Sequence, residues 1–230
     1  AGTTLDISGG AVDVRDNDAI TSVTQSAGTL GGDATLTVTG AYEQTGGTTG
    51  GSVTVSADTF EQTGGTVASG TTVNAATSAT LNGGTIQGTL GGAGGVTIQT
   101  GTTTVSGTIS GNVTVGSGGR LVIGNSSAIG GTITTTGSVV GYSNGVNEGS
   151  AIVVNSDTTQ LEVVTGSAEQ SGVISEAGGA RPLEKIGAGE LTLSGTNSFT
   201  GDLTISDGTL SVDNGAALAD SVDVIVDDGA

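Results

Sequence analysis

Apolar and polar residues alternate along this chain in short runs: Ala34-Thr35-Leu36-Thr37-Val38, Ser52-Val53-Thr54-Val55, Val96-Thr97-Ile98, Asn112-Val113-Thr114-Val115, Arg120-Leu121-Val122-Ile123, Glu190-Leu191-Thr192-Leu193 and Asp202-Leu203-Thr204-Ile205. In each run the apolar side chains stand two apart, with Thr, Ser or another non-core residue between. That is the period-2 signature of a half-buried strand, so Val, Ile and Leu are predicted to face inward and Thr to face water. Gly-Gly, Asn-Gly and Asp-Gly pairs separate the runs and permit the positive φ of tight corners. No segment reads as a helix longer than one turn, for which Ala216-Ala217-Leu218-Ala219-Asp220 is the single candidate.

The runs themselves repeat. Val23-Thr24-Gln25-Ser26-Ala27-Gly28-Thr29 returns as Tyr42-Glu43-Gln44-Thr45-Gly46-Gly47-Thr48, as Phe60-Glu61-Gln62-Thr63-Gly64-Gly65-Thr66 and as Ala79-Thr80-Leu81-Asn82-Gly83-Gly84-Thr85. The leading apolar position falls at Leu5, Val23, Tyr42, Phe60, Ala79, Val96, Val113, Ile133 and Ile152, in steps of 18, 19, 18, 19, 17, 17, 20 and 19 residues. A unit of that size cannot close a core alone; it is one coil of a stack. Two or three strands fit each coil, and consecutive coils pair strand on strand, in parallel, about 4.8 Å apart. The predicted fold is therefore all-β: a right-handed parallel β-helix (solenoid) with 17–20 residue coils. Right-handedness follows from strand twist, and a left-handed β-helix would keep a strict hexapeptide period. Stacking then places Gln25, Gln44 and Gln62 at one position and Thr29, Thr48, Thr66 and Thr85 at another. It sets Tyr42 on Phe60 and Glu43 over Glu61. Two exposed carboxylates one strand apart repel by roughly 0.2–1 kcal/mol, so they splay into water or share a cation.

Composition narrows the picture. Gly supplies 45 of 230 residues, yet regular apolar alternation between the glycines argues against a disordered linker. Collagen is excluded, because Gly has no three-residue period and Pro182 is the one proline. Tyr42, Phe60, Tyr142 and Phe199 are the only aromatic residues, enough for a slim solenoid core of Val, Ile, Leu, Ala and Thr. The net charge of −18 leaves four basic residues, Arg15, Arg120, Arg181 and Lys185. That excludes nucleic acid as a partner and disfavours anionic membranes. Between Glu61 and Glu148 there is no acid and Arg120 is the one base. Cys and His are absent, which removes disulfides, zinc sites, Cys or His nucleophiles and a Ser-His-Asp triad. No run of 18 apolar residues is present. The start at Ala1 and the end within the strand-like 224–230 segment suggest a processed or excised piece of something longer.

From about Ile152 the pattern changes. Ser171-Gly172-Val173-Ile174-Ser175 precedes Leu183-Glu184-Lys185-Ile186-Gly187-Ala188-Gly189-Glu190-Leu191-Thr192-Leu193-Ser194-Gly195-Thr196-Asn197-Ser198-Phe199-Thr200-Gly201, and Leu203-Thr204-Ile205-Ser206-Asp207-Gly208-Thr209-Leu210-Ser211-Val212 follows. This stretch resembles the passenger-associated transport repeat of bacterial autotransporters, K-x-G-x-G-x-L-x-L-S-G-x-N-x-[YF]-x-G, then a strand and D/A-G-T-L. The resemblance covers roughly residues 161–230. With the 17–20 residue return, which favours one elongated domain, the chain divides into Gly/Thr-rich coils over 1–160, without that signature, continued by repeat-like coils over 161–230. The resemblance implies passenger β-helix. It further implies a secreted passenger segment at the Gram-negative cell surface, acting as structural stalk and adhesin. Its partners would be a host surface, an extracellular-matrix component or sibling cells, with the family's translocator barrel lying outside this chain.

An enzyme is the alternative, because polysaccharide lyases and hydrolases also use parallel β-helices. Lyases acting on acidic glycans need clustered Lys or Arg, which are scattered here. Hydrolases need a carboxylate pair; Asp202 with Asp207, or Asp223 with Asp227 and Asp228, are the groupings. Asp before Gly at corners, in Asp207-Gly208 and Asp228-Gly229, explains them as turn chemistry. Asp13-Val14-Arg15-Asp16-Asn17-Asp18 bunches hard-cation ligands, but lacks the Gly and distal Glu of a calcium loop, and Gly91-Gly92-Ala93-Gly94-Gly95-Val96 lacks the Asp of the calcium nonapeptide. Gly187-Ala188-Gly189 is half of a dinucleotide fingerprint with no helix after it. Asn112-Val113-Thr114 and Asn125-Ser126-Ser127 fit glycosylation sequons. Lys185 reads as structural, in a loop after Pro182. No catalytic, cofactor-binding or metal-binding residue is assigned, and no cofactor is expected.

Overall fold

The structure, a computed structural model, describes residues 2–213 and 215–228. It is a parallel β-solenoid of about 12 coils. Leu5, Val23, Tyr42, Phe60, Ala79, Val96, Val113, Ile133 and Ile152 lie over one another in unbroken register. The Gln25–Gln44–Gln62 and Thr29–Thr48–Thr66–Thr85 columns form as the repeat requires.

Each coil contributes to three strand columns. One carries the leading positions. A second stacks Leu36, Val55, Val73, Leu90 and Ile109. A third stacks Leu30, Thr49, Val67, Ile86, Val105 and Ile123. These side chains point into one continuous core and are buried, except that Leu5, in the first coil, is half-buried against it. No coil has a core of its own, so the apolar gain of each depends on its two neighbours.

The strands are longer than the alternating runs suggested. Thr35–Gln44 and Val113–Ile123 each run through a corner as one strand. The ladder survives because one strand carries an extra residue where register shifts, as between Val38 and Ala41. Such a bulge turns the chain without ending the pairing.

Coil length also departs from expectation beyond Ile152. The step is 22 residues from Ile152 to Ile174 and 24 from Leu161 to Lys185. The surplus lies in connections, including the 177–182 loop before Leu183. Stacking fixes strand positions but lets corners grow outward. The 216–220 segment forms turns and a bend rather than a helical turn. Its Ala217 is buried against the coil below. The last described strand is Val224–Val226; Gly229, and with it the Asp228-Gly229 corner, lies outside the described residues.

Candidate functional site

The motif residues of the 183–212 segment each do identifiable structural work. Lys185 is not in a loop, as its place after Pro182 suggested. It is the third residue of the strand Leu183–Ile186 and is fully buried between Leu161 and Ile205. Its Nζ donates to the carbonyl oxygens of Ile186 (3.0 Å), Gly187 (2.7 Å) and Asp207 (3.1 Å). One ammonium thus satisfies three backbone acceptors and ties its own corner to the corner of the next coil. Burial lowers its pKa, while the charges of Asp207 and Glu162 pull the other way. Parity with Leu183 was the available sequence signal; Lys is so rarely buried that the loop reading prevailed.

Asn197 makes a second inter-coil bridge. Its Oδ1 accepts from Ile174 N (2.7 Å) and its Nδ2 donates to Ala217 O (2.7 Å), so one amide side chain joins three successive coils. Phe199 is fully buried behind it. Gly208 sits at φ +75°, and a Cβ there would stand 2.5 Å from the carbonyl oxygens of Gly187 and Gly189. The corner therefore excludes a side chain both by conformation and by space. Gly187, which opens that stack, begins a strand corner; Glu190–Leu193 follows it, not a nucleotide-binding helix.

The first coils hold a different internal network, which the repeat located but whose inward direction it did not announce. Gln25, Gln44 and Gln62 are completely buried. Gln62 Nε2 donates to Gln44 Oε1 (3.0 Å), and Gln44 Nε2 reaches Thr66 O (3.2 Å) and, at the limit, Gln25 Oε1 (3.5 Å). Tyr42 Oη donates to Gln25 Oε1 (2.6 Å) and also touches Thr49 Oγ1. Tyr42 meets Phe60 with ring centroids 5.1 Å apart, the predicted stack. Gln44 shares the parity of Tyr42, and that spacing places both inside. Further along, Tyr142 Oη donates to Gln170 Oε1 (3.0 Å), and Gln170 Nε2 donates to Ser150 O (2.8 Å). Glu148, in register with Gln170, is also fully buried. Its Oε1 accepts from Ser150 N (2.9 Å).

Burial raises the pKa of both tyrosines. At Tyr142 the charge of Glu148 adds to the rise, and at Tyr42 the hydrogen bond with Thr49 opposes it. Above about pH 10 the unfolded chain loses these protons while the folded chain keeps them. Stability is therefore intact below that pH and falls as pH rises past it. In urea titrations at pH 9 and pH 11, the Tyr142→Phe variant should lose less stability between the two than the parent. Equal losses would remove Tyr142 as a source of the decline.

The candidate carboxylate groupings are spread along their strands, although register sets Asp202 over Asp223. Asp202 and Asp207 flank opposite ends of Leu203–Ile205, and Asp223 and Asp227 flank opposite ends of Val224–Val226. Asp227 accepts from Ser206 Oγ (2.9 Å). Asp13 accepts from Arg15 Nε (2.7 Å), while Asn17 Oδ1 and Asp18 Oδ1 accept from Thr35 N and Ala19 N (3.0 Å each). Among the described residues no three His, Cys, Asp or Glu side chains are grouped to hold a metal. Glu43 does lie over Glu61, and Asn82 Nδ2 donates to Glu61 at 3.4 Å. Asn112 and Asn125, the sequon positions, spend their side-chain amides on the backbone of Thr132 and of Gly107.

Outward-facing residues form columns too. Thr80, Thr97, Thr114 and Thr134 stack in register on one strand column, and Thr54, Thr72, Thr89 and Thr108 on another. Two shallow depressions of about 550 and 490 Å³ cross the same coils and share Gly92, Ala93, Ser110 and Gly111. No charged side chain lines either. Arg120, the one charge of this section, reaches over Gly141 to Glu162 with Nε–Oε2 at 2.7 Å.

Residues 183–212 match the family model of the passenger-associated-transport-repeat. The chain carries an autotransporter passenger repeat. The match spans the Lys185 staple, the Asn197 bridge and the Gly208 corner, so the repeat's signature residues are those that fasten one coil to the next. Repeat and solenoid together fit an autotransporter passenger stalk, and a passenger repeat implies secretion to the cell surface. No curated protein and no solved structure matches the chain.

Proposed function

We propose that this chain is a rod segment of an autotransporter passenger that acts as stalk and adhesin outside the cell, anchored through a translocator barrel beyond these residues. The observation that carries the reading is the uncharged flank of the 62–147 coils, where threonine hydroxyls repeat at strand spacing. A regular hydroxyl array offers many weak hydrogen bonds to a host surface, an extracellular-matrix component or a sibling rod, without the desolvation cost of charges. A structural role also suits a molecule whose polar side chains are largely engaged in fastening coils.

The test is the Thr80→Asp/Thr97→Asp/Thr114→Asp variant displayed on cells at the same level as the parent. Adhesion or cell clumping should fall at least about tenfold, since each contact of an avid array is lost together. Clumping and binding equal to the parent at matched display would leave a spacer and reject the adhesive flank.

A further inference from the structure

We propose that the carboxyl-terminal coils, about 157–212, are an acid-sensitive zipper, while the acid-free 62–147 coils before them stay closed at the same pH. The two sections are joined side chain to side chain by different chemistry. In the later coils, carboxylates bridge to donors one coil away. Glu169 accepts from Asn147 Nδ2 (2.7 Å) and from Ser194 Oγ, Glu184 from Gln160 Nε2 (2.7 Å), Glu190 from Ser211 Oγ, and Asp157 from Arg181 Nη1 (2.7 Å). Glu176 accepts from Thr200 Oγ1 and from Arg181 N (2.8 Å). A carboxylate is the stronger acceptor in its charged form, and protonation removes both the charge and part of the acceptor capacity.

The 62–147 section contains no Asp or Glu. Its internal inter-coil contacts are backbone ladders, apolar packing and amide or hydroxyl bonds such as Thr100 Oγ1 to Asn82 Oδ1 (3.1 Å), none of which titrates in acid. Carboxylates reach it only from its two edges, Glu61 to Asn82, Glu169 to Asn147 and Glu162 to Arg120. The other charges facing the zipper are the buried Glu148 in register with Gln170, Arg120 on Glu162 and the buried Lys185, with Asp207 and Asp227 at the corner beyond it. Glu176 shows the direction: burial pulls its pKa up, but hydrogen bonds from Thr200, Arg181 N and Gly201 outweigh burial and keep it below the ordinary carboxylate value. Its contribution is complete above that ordinary value and is lost as pH falls through the depressed one. Because a solenoid is stabilised neighbour by neighbour, a local loss opens local coils.

Amide hydrogen exchange on the whole chain at pH 7 and pH 2.5, corrected for intrinsic rates, tests this. Protection over 160–212 should fall about tenfold or more, while protection over 66–146 changes less than about threefold. In the Glu169→Gln/Glu176→Gln/Glu190→Gln variant, the loss over 160–212 should shrink to less than about threefold. Uniform loss along the chain, earlier loss in the acid-free coils, full protection of 160–212 at pH 2.5, or an unchanged acid response in the variant would each overturn the proposal. If the variant does not fold, the comparison between segments of the parent decides alone.

Discussion

Lys185→Met should destabilise the repeat by about 3 kcal/mol, with loss of protection concentrated over 183–212. Methionine fills most of the volume, so packing between Leu161 and Ile205 survives. What disappears is the donor to three carbonyl oxygens, those of Ile186, Gly187 and Asp207. Each buried acceptor left without a partner costs about 1–3 kcal/mol. Removing a buried ammonium returns part of that, because its desolvation no longer opposes folding. The balance stays unfavourable since three backbone acceptors lose their donor at once. A urea midpoint matching that of the parent would show that the lysine is dispensable. Lys185→Ala should cost more, as a cavity is added.

Gln44→Ala should cost about 3–4 kcal/mol in the same measurement. Gln44 is the middle rung of its ladder. Its loss deprives the buried Gln62 Nε2 of Gln44 Oε1 and leaves Thr66 O, at the edge of the core, without its side-chain donor. The partner variant Gln25→Ala removes the acceptor used by Tyr42 and Thr49. Because the two rungs share hydrogen bonds, the double variant should be less destabilised than the sum of the singles by about 0.5–3 kcal/mol. Strict additivity would mean that the rungs act independently. Thr97→Ala, on the outward side of a later coil, should change stability by no more than about 0.5 kcal/mol.

The architecture was legible because two periods agree. Alternation over two residues gave each strand its buried side, and the 17–20 residue return placed Leu5 through Ile152 over one another. Register in a stacked solenoid has little freedom once an apolar column must stay inside. The corners were less legible. Bulges near Val38 and the longer connections after Glu176 face solvent, where no periodic constraint acts on length. Interior polar chemistry was the largest gap. Gln44, Glu148 and Lys185 belong to residue types that normally seek water, and their direction depends on partners that only the neighbouring coils supply. The parity of Tyr42 with Gln44, and of Leu183 with Lys185, held the clue. The carboxylate groupings read from the sequence are spread out in space for a simpler reason. Asp202 and Asp207, or Asp223 and Asp227, are close in sequence but lie at opposite ends of a strand.

Most fastenings in this molecule join adjacent coils, but the ion pair of Arg120 with Glu162 spans 42 residues and passes over the bare backbone of Gly141. A side chain at position 141 would stand 3.3 Å from both charged groups. Under a pull along the rod, neighbouring turns elsewhere are free to peel away singly. Here an outer strap girdles the turn in the middle, so that stretch resists tension as one block and yields, when it yields, in one larger step.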